Sequence, residues 1–399
     1  MVEEVLKPTV IPLNGKLVTS QDPLMLDVGD FQELTNMRYG DINPVSILGM
    51  TKYNSAAVVD AAYFKIRSGF QYKKDTPYNI APGSTAPSVA WLTGWTYRKS
   101  FTVTSAGGTV TDYQVKILVG ESAGATGEDV DCNSHCDSDF SDLRFTTSDA
   151  ETTLNYWIET TSGTTPNGLA TVWVKFDSLT TSPTTFYMYY GNALASSESS
   201  GAITFIEFDD FERGVNLDEI GYNWTEAQGT VNISTDHAYS GTRCMKVAGG
   251  ASAGRVTIAQ TAGTSIAINC KMWKEDGSYF YMIHGNGTER AFISGETDED
   301  ISYYDGGYVD TTDNMAKDAW VEFELNNFNW VAGTYDIYYQ GSIIHSGATT
   351  DTSATYTDQV MFQGGGGSGS DIYVDCYFVR NWTATSPTLA SWGDESTAS

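Results

Sequence analysis

The feature that most constrains this chain is a period of two. From residue 100 onward, short runs of β-branched and aromatic residues recur between Gly, Asn, Asp and Ser. They include SFTVTS, YQVKILVG, ATVWVKFDSL, TTFYMYYGN, AINCKMWK, SYFYMIHG, WVEFELNNF, TYDIYYQG and DIYVDCYFVR. Alternation sends successive side chains to opposite faces of an extended strand. Many short strands broken by turn residues predict an all-β chain of packed antiparallel sheets. In ATVWVKF, Val172, Val174 and Phe176 fall on one face, with Trp173 and Lys175 on the other. The best helical pattern is a turn or two at GDFQELTNM, where Asp30 can cap and Glu33 follows three residues later. No long period repeats, which argues against a solenoid or propeller array within the chain.

Charge divides the chain. Its 399 residues carry a net charge of −28, yet residues 1–99 sum to +1 and residues 100–399 to −29. An acidic surface of that size excludes sequence-independent nucleic-acid binding, because phosphates need cationic partners. It would also keep crowded copies soluble and apart. Composition sets the borders. Residues 79–94 (NIAPGSTAPSVAWLTG) read as a linker, and a Ser-rich loop lies near 196–207. The expected domains are 1–90, an extended N-terminal docking arm, and two β-sandwiches of jelly-roll type, 91–205 and 206–399. The run Gly364–Gly367 in GGGGSGS lacks the Lys-Ser/Thr ending of a phosphate loop and reads as a flexible hairpin loop.

The opening MVEEVLKPTV places two glutamates where a signal peptide needs positive charge, and no stretch approaches a membrane span. No membrane partner is expected, and the chain is expected to stay in the cytosol during synthesis. Five scattered cysteines do not make a disulfide framework. Cys132 and Cys136 flank His135, but the other histidines lack the paired spacing that zinc needs. A Cys132–Cys136 bridge is expected only in an oxidising medium. In SDLRF, Asp142 and Arg144 flank Leu143 and so share a face, where they could hold a paired turn. The functional alternative is a carboxylate site of Asp139, Asp142 and Glu159, which no spaced histidine or second acid completes as a proton relay.

The ordered blocks WTYRKSFTV, TDYQVKILV, HCDSDFSDLRFTTSDAETTLNYWIE, ATVWVKFDSL and TTFYMYYGNALASSES resemble a domain of unknown function found in bacterial and archaeal surface proteins and some viral proteins. FIEFDDFERG, HAYSGTRCMKVAG, the long AWVEFELNN…IIHSG block and SDIYVDCYFVRNW resemble a laminin-G or concanavalin-like jelly roll. That resemblance implies sugar binding, glycoside cleavage or a purely structural role. For sugar stacking the candidates are Trp273, Tyr279, Tyr281, Tyr303 and Tyr304, with Tyr308 nearby. Relatives of this fold hold a structural calcium near their terminal strands. The matching acids are Asp210, Glu212, Asp236 and Asp375. Cleavage would need two suitably spaced carboxylates. The acidic runs Glu296–Asp300 and Asp209–Asp210 read as solvated turns, the Glu-x-Asp-x-x-Glu strand motif of related endoglycanases is missing, and no catalysis is expected.

In the first segment, Asn14-Gly15, Asp22-Pro23, GDFQELTNM with Arg38, and GMTKY resemble the opening of phage neck and tail proteins, including nozzle-type β-propeller proteins. The resemblance implies a phage virion structural protein of the neck, tail, fibre or capsid decoration, forming a homo-oligomer in a virion assembled in the host cytoplasm. Residues 1–90 would dock on other virion proteins through stretches such as TVIPL and VSILGM, while the sandwiches meet a host-surface polysaccharide. The alternative is a cellular surface adhesin or carbohydrate-binding module, followed by a glycoside hydrolase.

Overall fold

The alternating runs fold as antiparallel strands. The computed structural model describes residues 8–10, 18–19 and 90–398, save 125–126, 251–253, 262, 353–357, 367–370 and 391. The chain divides into two units, Met1–Trp91 and Leu92–Ser399. In the first, β1 (Pro8–Val10) pairs antiparallel with β2 (Val18–Thr19). The helical turn expected at 29–37 and the stretch 45–50 lie outside the described residues.

The second unit opens with eight strands: β3 (Tyr97–Thr104), β4 (Val110–Gly120), β5 (Val130–Asp131), β6 (Arg144–Thr146), β7 (Thr153–Leu154), β8 (Tyr156–Ser162), β9 (Leu169–Leu179) and β10 (Thr184–Tyr190). One sheet runs β5-β4-β9-β8 and the other contains β3-β10-β6-β7. Between them Phe101, Ile117, Phe145, Val172, Val174 and Phe176 are fully buried, so β9 turns its alternate residues inward as its pattern requires.

The blocks that carry the surface-protein resemblance hold one end of this sandwich. Trp95 donates from Nε1 to the Asp142 carbonyl at 2.6 Å, and the Arg144 guanidinium lies 5.0 Å over its ring. The buried Asp142 carboxylate accepts the Gly191 N–H at 2.6 Å and the Asn192 N–H at 3.1 Å, tying the Tyr-Gly-Asn turn down. Arg144 reaches a different loop, bonding the Ser196 carbonyl at 2.7 Å and Glu198 at 3.0 Å. Asp142 and Arg144 therefore do not form the paired turn that their spacing suggests; each clamps a separate segment.

A short helix, α1 (Gly201–Thr204), leads into the second sandwich. Its strands are β11 (Glu207–Asp209), β12 (Trp224–Gln228), β13 (Val231–Ser234), β14 (Cys244–Val247), β15 (Arg255–Ala259), β16 (Ile266–Lys274), β17 (Ser278–Gly285), β18 (Arg290–Gly295), β19 (Asp300–Tyr304), β20 (Tyr308–Asn314), β21 (Val321–Asn329), β22 (Thr334–Tyr339), β23 (Ser342–Thr349), β24 (Gln359–Gly366) and β25 (Ile372–Asn381). One sheet runs β13-β14-β25-β16-β21-β22-β23 with β11 also on β25; the facing sheet runs β12-β15-β24-β17-β18-β19-β20. Met272, Phe280, Met282, Phe323, Phe362 and Val374 fill the space between them.

Strand β25 is buried on both faces. Ile372 and Val374 point inward, and so do Tyr377 and Val379. The change of parity comes from a bulge at Asp375–Cys376, where the register against β16 shifts and Cys376 takes φ 46°. The bulge frees Cys376 and Phe378 to face the first sandwich. There they join Trp157, Trp173, Phe205 and Phe208, with Phe205 and Phe378 stacked at 4.3 Å. Beside this aromatic seam, Lys271 of β16 meets Glu159 of β8 at 2.9 Å, both nearly inaccessible, and also pairs with Glu322. Burial would depress the Lys271 ammonium, but the two carboxylates override it and hold it above the usual lysine range.

The chain then returns. Strands β26 (Thr388–Ala390) and β27 (Ser396–Thr397) pair with β3, Trp392 stacks on Phe101 at 4.6 Å, and Glu395 accepts the Tyr190 hydroxyl at 2.8 Å. These strands belong to the sheet of the first sandwich, not to the 206–399 sandwich in which the sequence places them.

Candidate functional site

Cross-strand register assembles the site. On the outer face of the β12–β20 sheet, one row of directly paired residues runs Arg255, Gln363, Tyr281, Ser294, Ser302 and Asp310 across six strands. Beside it lie Thr257, Met361, Ile283 and Phe292, paired across β15, β24, β17 and β18, and Tyr304 paired with Tyr308. The first row is mostly polar and the second mostly apolar; Ser294 and Ser302 are buried, so the groups the face offers for hydrogen bonding are Gln363, Asp310 and the tyrosine hydroxyls.

Although it faces outward, the floor of this band is dry. Ile283, Phe292 and Met361 are 3 %, 1 % and 7 % exposed because Tyr281 and Tyr304 lie against them. Tyr281 sits 5.3 Å from Phe292, Tyr308 meets the same ring edge-on at 5.4 Å, and Tyr304 meets Tyr308 at 6.2 Å. Tyr308 is 64 % exposed. Burial, then the Glu296 carboxylate and the neighbouring phenols, push the Tyr281 hydroxyl up. It therefore stays protonated at neutral pH and can donate as well as accept. Arg290 closes one rim, 5.4 Å from the Phe292 ring and held by Asp351 at 2.6 Å.

Tyr279 extends the tyrosine set, 5.5 Å from Tyr281. Its ring lies across Gly365, where a Cβ would come within 2.0 Å of the ring carbons. The first three glycines of the run are thus strand where the sequence suggests a flexible loop: Gly364–Gly366 belong to β24, the first of them pairs with Phe280, and the rest of GGGGSGS lies outside the described residues. Only a residue without a side chain lets the tyrosine lie flat there.

The structure gathers Tyr279, Tyr281 and Tyr304 with Tyr308 and places the other two sugar candidates elsewhere. Tyr303 precedes Tyr304 on β19, so alternation turns it into the core, 6 % exposed. Trp273 lies on the opposite sheet, stacked on His237 at 3.7 Å and packed with Tyr373 and Cys244. Phe292, Ser294, Ser302, Asp310 and Gln363 were not among the sequence candidates. Alternation in RAFISG hints at Phe292 and Ser294, but only register sets them beside the tyrosines.

Two carboxylates border the polar row. Glu296 accepts the Ser294 hydroxyl at 2.8 Å, and Asp310 accepts that of Ser302 at 2.6 Å. The calcium candidates do not converge on one cage. Asp375 accepts N–H groups from Tyr239, Ser240 and Cys376 at 2.8, 3.2 and 2.7 Å. Glu212 accepts those of Thr242 and Arg243, both at 2.6 Å, and Asp236 pairs with Lys246 at 3.2 Å. Asp210 accepts the Glu212 N–H at 3.2 Å. Among the described residues no three His, Cys, Asp or Glu side chains gather to hold a metal. The donors around these acids do not fit the calcium that the jelly-roll resemblance implies. Asp142 and Glu159 of the alternative carboxylate site are also apart in role: the first ties a turn, the second the joint. Cys132 and Cys136 are free thiols, and His135 stacks on Tyr97 at 3.9 Å while bonding Glu395.

Residues 139–227 match the family model described as Domain of unknown function (DUF2341). That stretch overlaps the segment whose motif blocks clamp the first sandwich. No curated protein matches the sequence. Among solved structures, a sialidase is similar at 9 % identity and a TM-score of 0.35, covering 50 % of this chain and 20 % of its own. A Bacillus licheniformis β-glucanase is similar at 14 % and 0.29, covering 44 % and 97 %. The binding domain of botulinum neurotoxin DC, solved with rat synaptotagmin II, is similar at 14 % and 0.31, covering 44 % and 48 %. This chain thus spans a fifth of the sialidase. The β-sandwich assignment stands on strand order and register.

Proposed function

We propose that the chain is a virion structural protein whose second sandwich binds a carbohydrate on the tyrosine face. The observation that carries the binding reading is the tyrosine band of Tyr281, Tyr304 and Tyr308, floored by the buried Phe292 and flanked by the half-buried Gln363 and the exposed Asp310. Sugars present an apolar ring face and a rim of hydroxyls, and a surface with one apolar and one polar row complements both. Binding is favoured over cleavage because Asp310 stands exposed, whereas a general acid needs a carboxyl kept protonated by a desolvated setting.

The test is a screen of immobilised glycans and host-surface polysaccharides, followed by calorimetry on any hit. Tyr304→Ala and Tyr308→Ala should each weaken binding by about fivefold, the equivalent of about 1 kcal/mol per ring contact. A hit that survives the double substitution unchanged, or no saturable hit, overturns the reading. The virion role rests on the phage-like opening segment. Removing residues 1–90 should leave a soluble fragment that no longer enters particles, and unchanged incorporation would sink that part alone.

A further inference from the structure

A cleft of about 560 Å³ opens where the two sandwiches meet. That is a volume typical of small-ligand sites. Trp157 of β8 and Phe208 of β11, both nearly buried, line it together with the 56 % exposed Tyr222. The cleft coincides with the matched family stretch. Residues 139–227 begin inside the first sandwich and end within β12 of the second, so they cover the joint and neither whole sandwich. Every lining residue except Ser240 and Gly241 falls within them.

Three carboxylates line the cleft, and two are fully employed. Asp209 is paired with Arg213 and accepts the Trp224 indole N–H at 2.6 Å and the Phe211 N–H at 2.8 Å. Glu212 holds the 242–243 backbone and the Arg243 guanidinium at 3.5 Å. Arg213 is spent as well, since it also donates to the Ile220 carbonyl at 2.7 Å. Asp210 accepts a single N–H, from Glu212, on one oxygen. Burial in the cleft pushes its carboxyl up, and the neighbouring Asp209 and Glu212 add to that. A half-buried carboxylate of this kind gains most from a counter-charge that arrives with its own apolar stem.

We propose that this cleft takes a primary ammonium or guanidinium on an aliphatic stem, with the cation on Asp210 and the stem laid against the packed Trp157–Phe208 pair and the Tyr222 ring. The Tyr222 ring already has the Arg213 guanidinium 5.3 Å over it, so it serves the ligand as an apolar wall for the stem. A neutral saccharide fits less well, because the acceptors on Asp209 and Glu212 are already filled and a sugar brings no charge to balance Asp210. The shared chemistry covers a lysine or arginine side chain of a partner protein and a free alkylamine. The site is separate from the tyrosine face, so either can fail without the other.

The full chain is titrated by calorimetry and NMR with N-acetyl-lysine methylamide, 1,5-diaminopentane and the neutral N-acetyl-norleucine methylamide. Both cations should saturate at millimolar concentration, with norleucine at least about tenfold weaker. Asp210→Asn should cost the cations about tenfold while leaving the near-ultraviolet circular dichroism unchanged, and Tyr222→Ala should cost a smaller factor. Tighter binding of the lysine amide points to a partner's side chain, and tighter binding of the diamine to a free amine. The proposal is overturned if neither cation saturates by about 50 mM, if norleucine binds equally, or if Asp210→Asn changes nothing. Asp210-dependent binding of a neutral oligosaccharide in place of the cations also overturns it.

Discussion

Two buried titratable groups in the second sandwich should act on stability with opposite sign over the same pH range. Asp375 is fully buried at the bulge of β25, and burial outweighs its three N–H donors to lift its carboxyl from 3.8 to about 7. His284 is equally inaccessible, with Nδ1 3.2 Å from the Gln359 carbonyl and no hydrogen-bond partner on Nε2. Burial pushes its ring from 6.5 down to about 4. Between about pH 4 and 7 the folded chain keeps a proton on Asp375 that the unfolded chain has released, so this group's contribution falls as pH rises. From about pH 6.5 down to 4 the unfolded chain takes a proton that His284 refuses when folded, so its contribution falls as pH drops. At about 1.4 kcal/mol per tenfold change in proton affinity, Asp375 is worth about 4 kcal/mol across its window and His284 about 3 kcal/mol. Together they nearly cancel.

Urea unfolding at pH 4, 5, 6 and 7 separates them. Relative to the parent chain, Asp375→Asn should gain about 4 kcal/mol between pH 4 and 7, and His284→Gln should lose about 3 kcal/mol. Asp375→Asn should start lower at pH 4, since an amide cannot receive the same three N–H groups. The slope of the difference carries the test, not the offset. Difference profiles flat to within about 1 kcal/mol for either variant would refute the reasoning.

Three further outcomes follow from the joint, the glycine strand and the acids. Lys271→Met strands Glu159 and Glu322 without their cation and should cost about 3–5 kcal/mol by chemical denaturation, with Glu159→Gln recovering part of it. Gly365→Ala drives a methyl into the Tyr279 ring and should cost about 1–3 kcal/mol, and nearly nothing in a Tyr279→Ala background. Millimolar calcium should leave the melting temperature within about 1 °C, because Asp375, Glu212 and Asp236 are already served by protein donors; a rise of several degrees would show a cage that forms on binding.

Strand content was legible because alternation is a local property: Val172, Val174 and Phe176 point inward as their spacing demands. What stayed hidden is non-local. The bulge that reverses parity at Asp375–Cys376 leaves no mark in IYVDCYFV, which reads equally well as a strand buried on both faces. Tyr279, Tyr281 and Tyr304 could be named from sequence, but whether Tyr303 or Tyr304 faces outward depends on one step of register. Trp273 looked equivalent to them because rings on opposite sheets have the same local pattern. The glycine run misled for a related reason: its purpose is to make room for Tyr279, which lies 86 positions earlier in the chain.

The returning tail makes the second sandwich an insertion within the first. Ala398 donates to the Thr96 carbonyl at 2.9 Å, so the chain enters and leaves this body at one point. On the ribosome, β3 keeps one edge open through the synthesis of roughly 280 further residues, until β26 emerges to cover it. Phe101 likewise waits for Trp392. Residues 388–397 thus complete the sheet that β3 begins. A chain released early would carry an uncapped strand and bare aromatic surface, the kind of species that chaperones and proteases recognise.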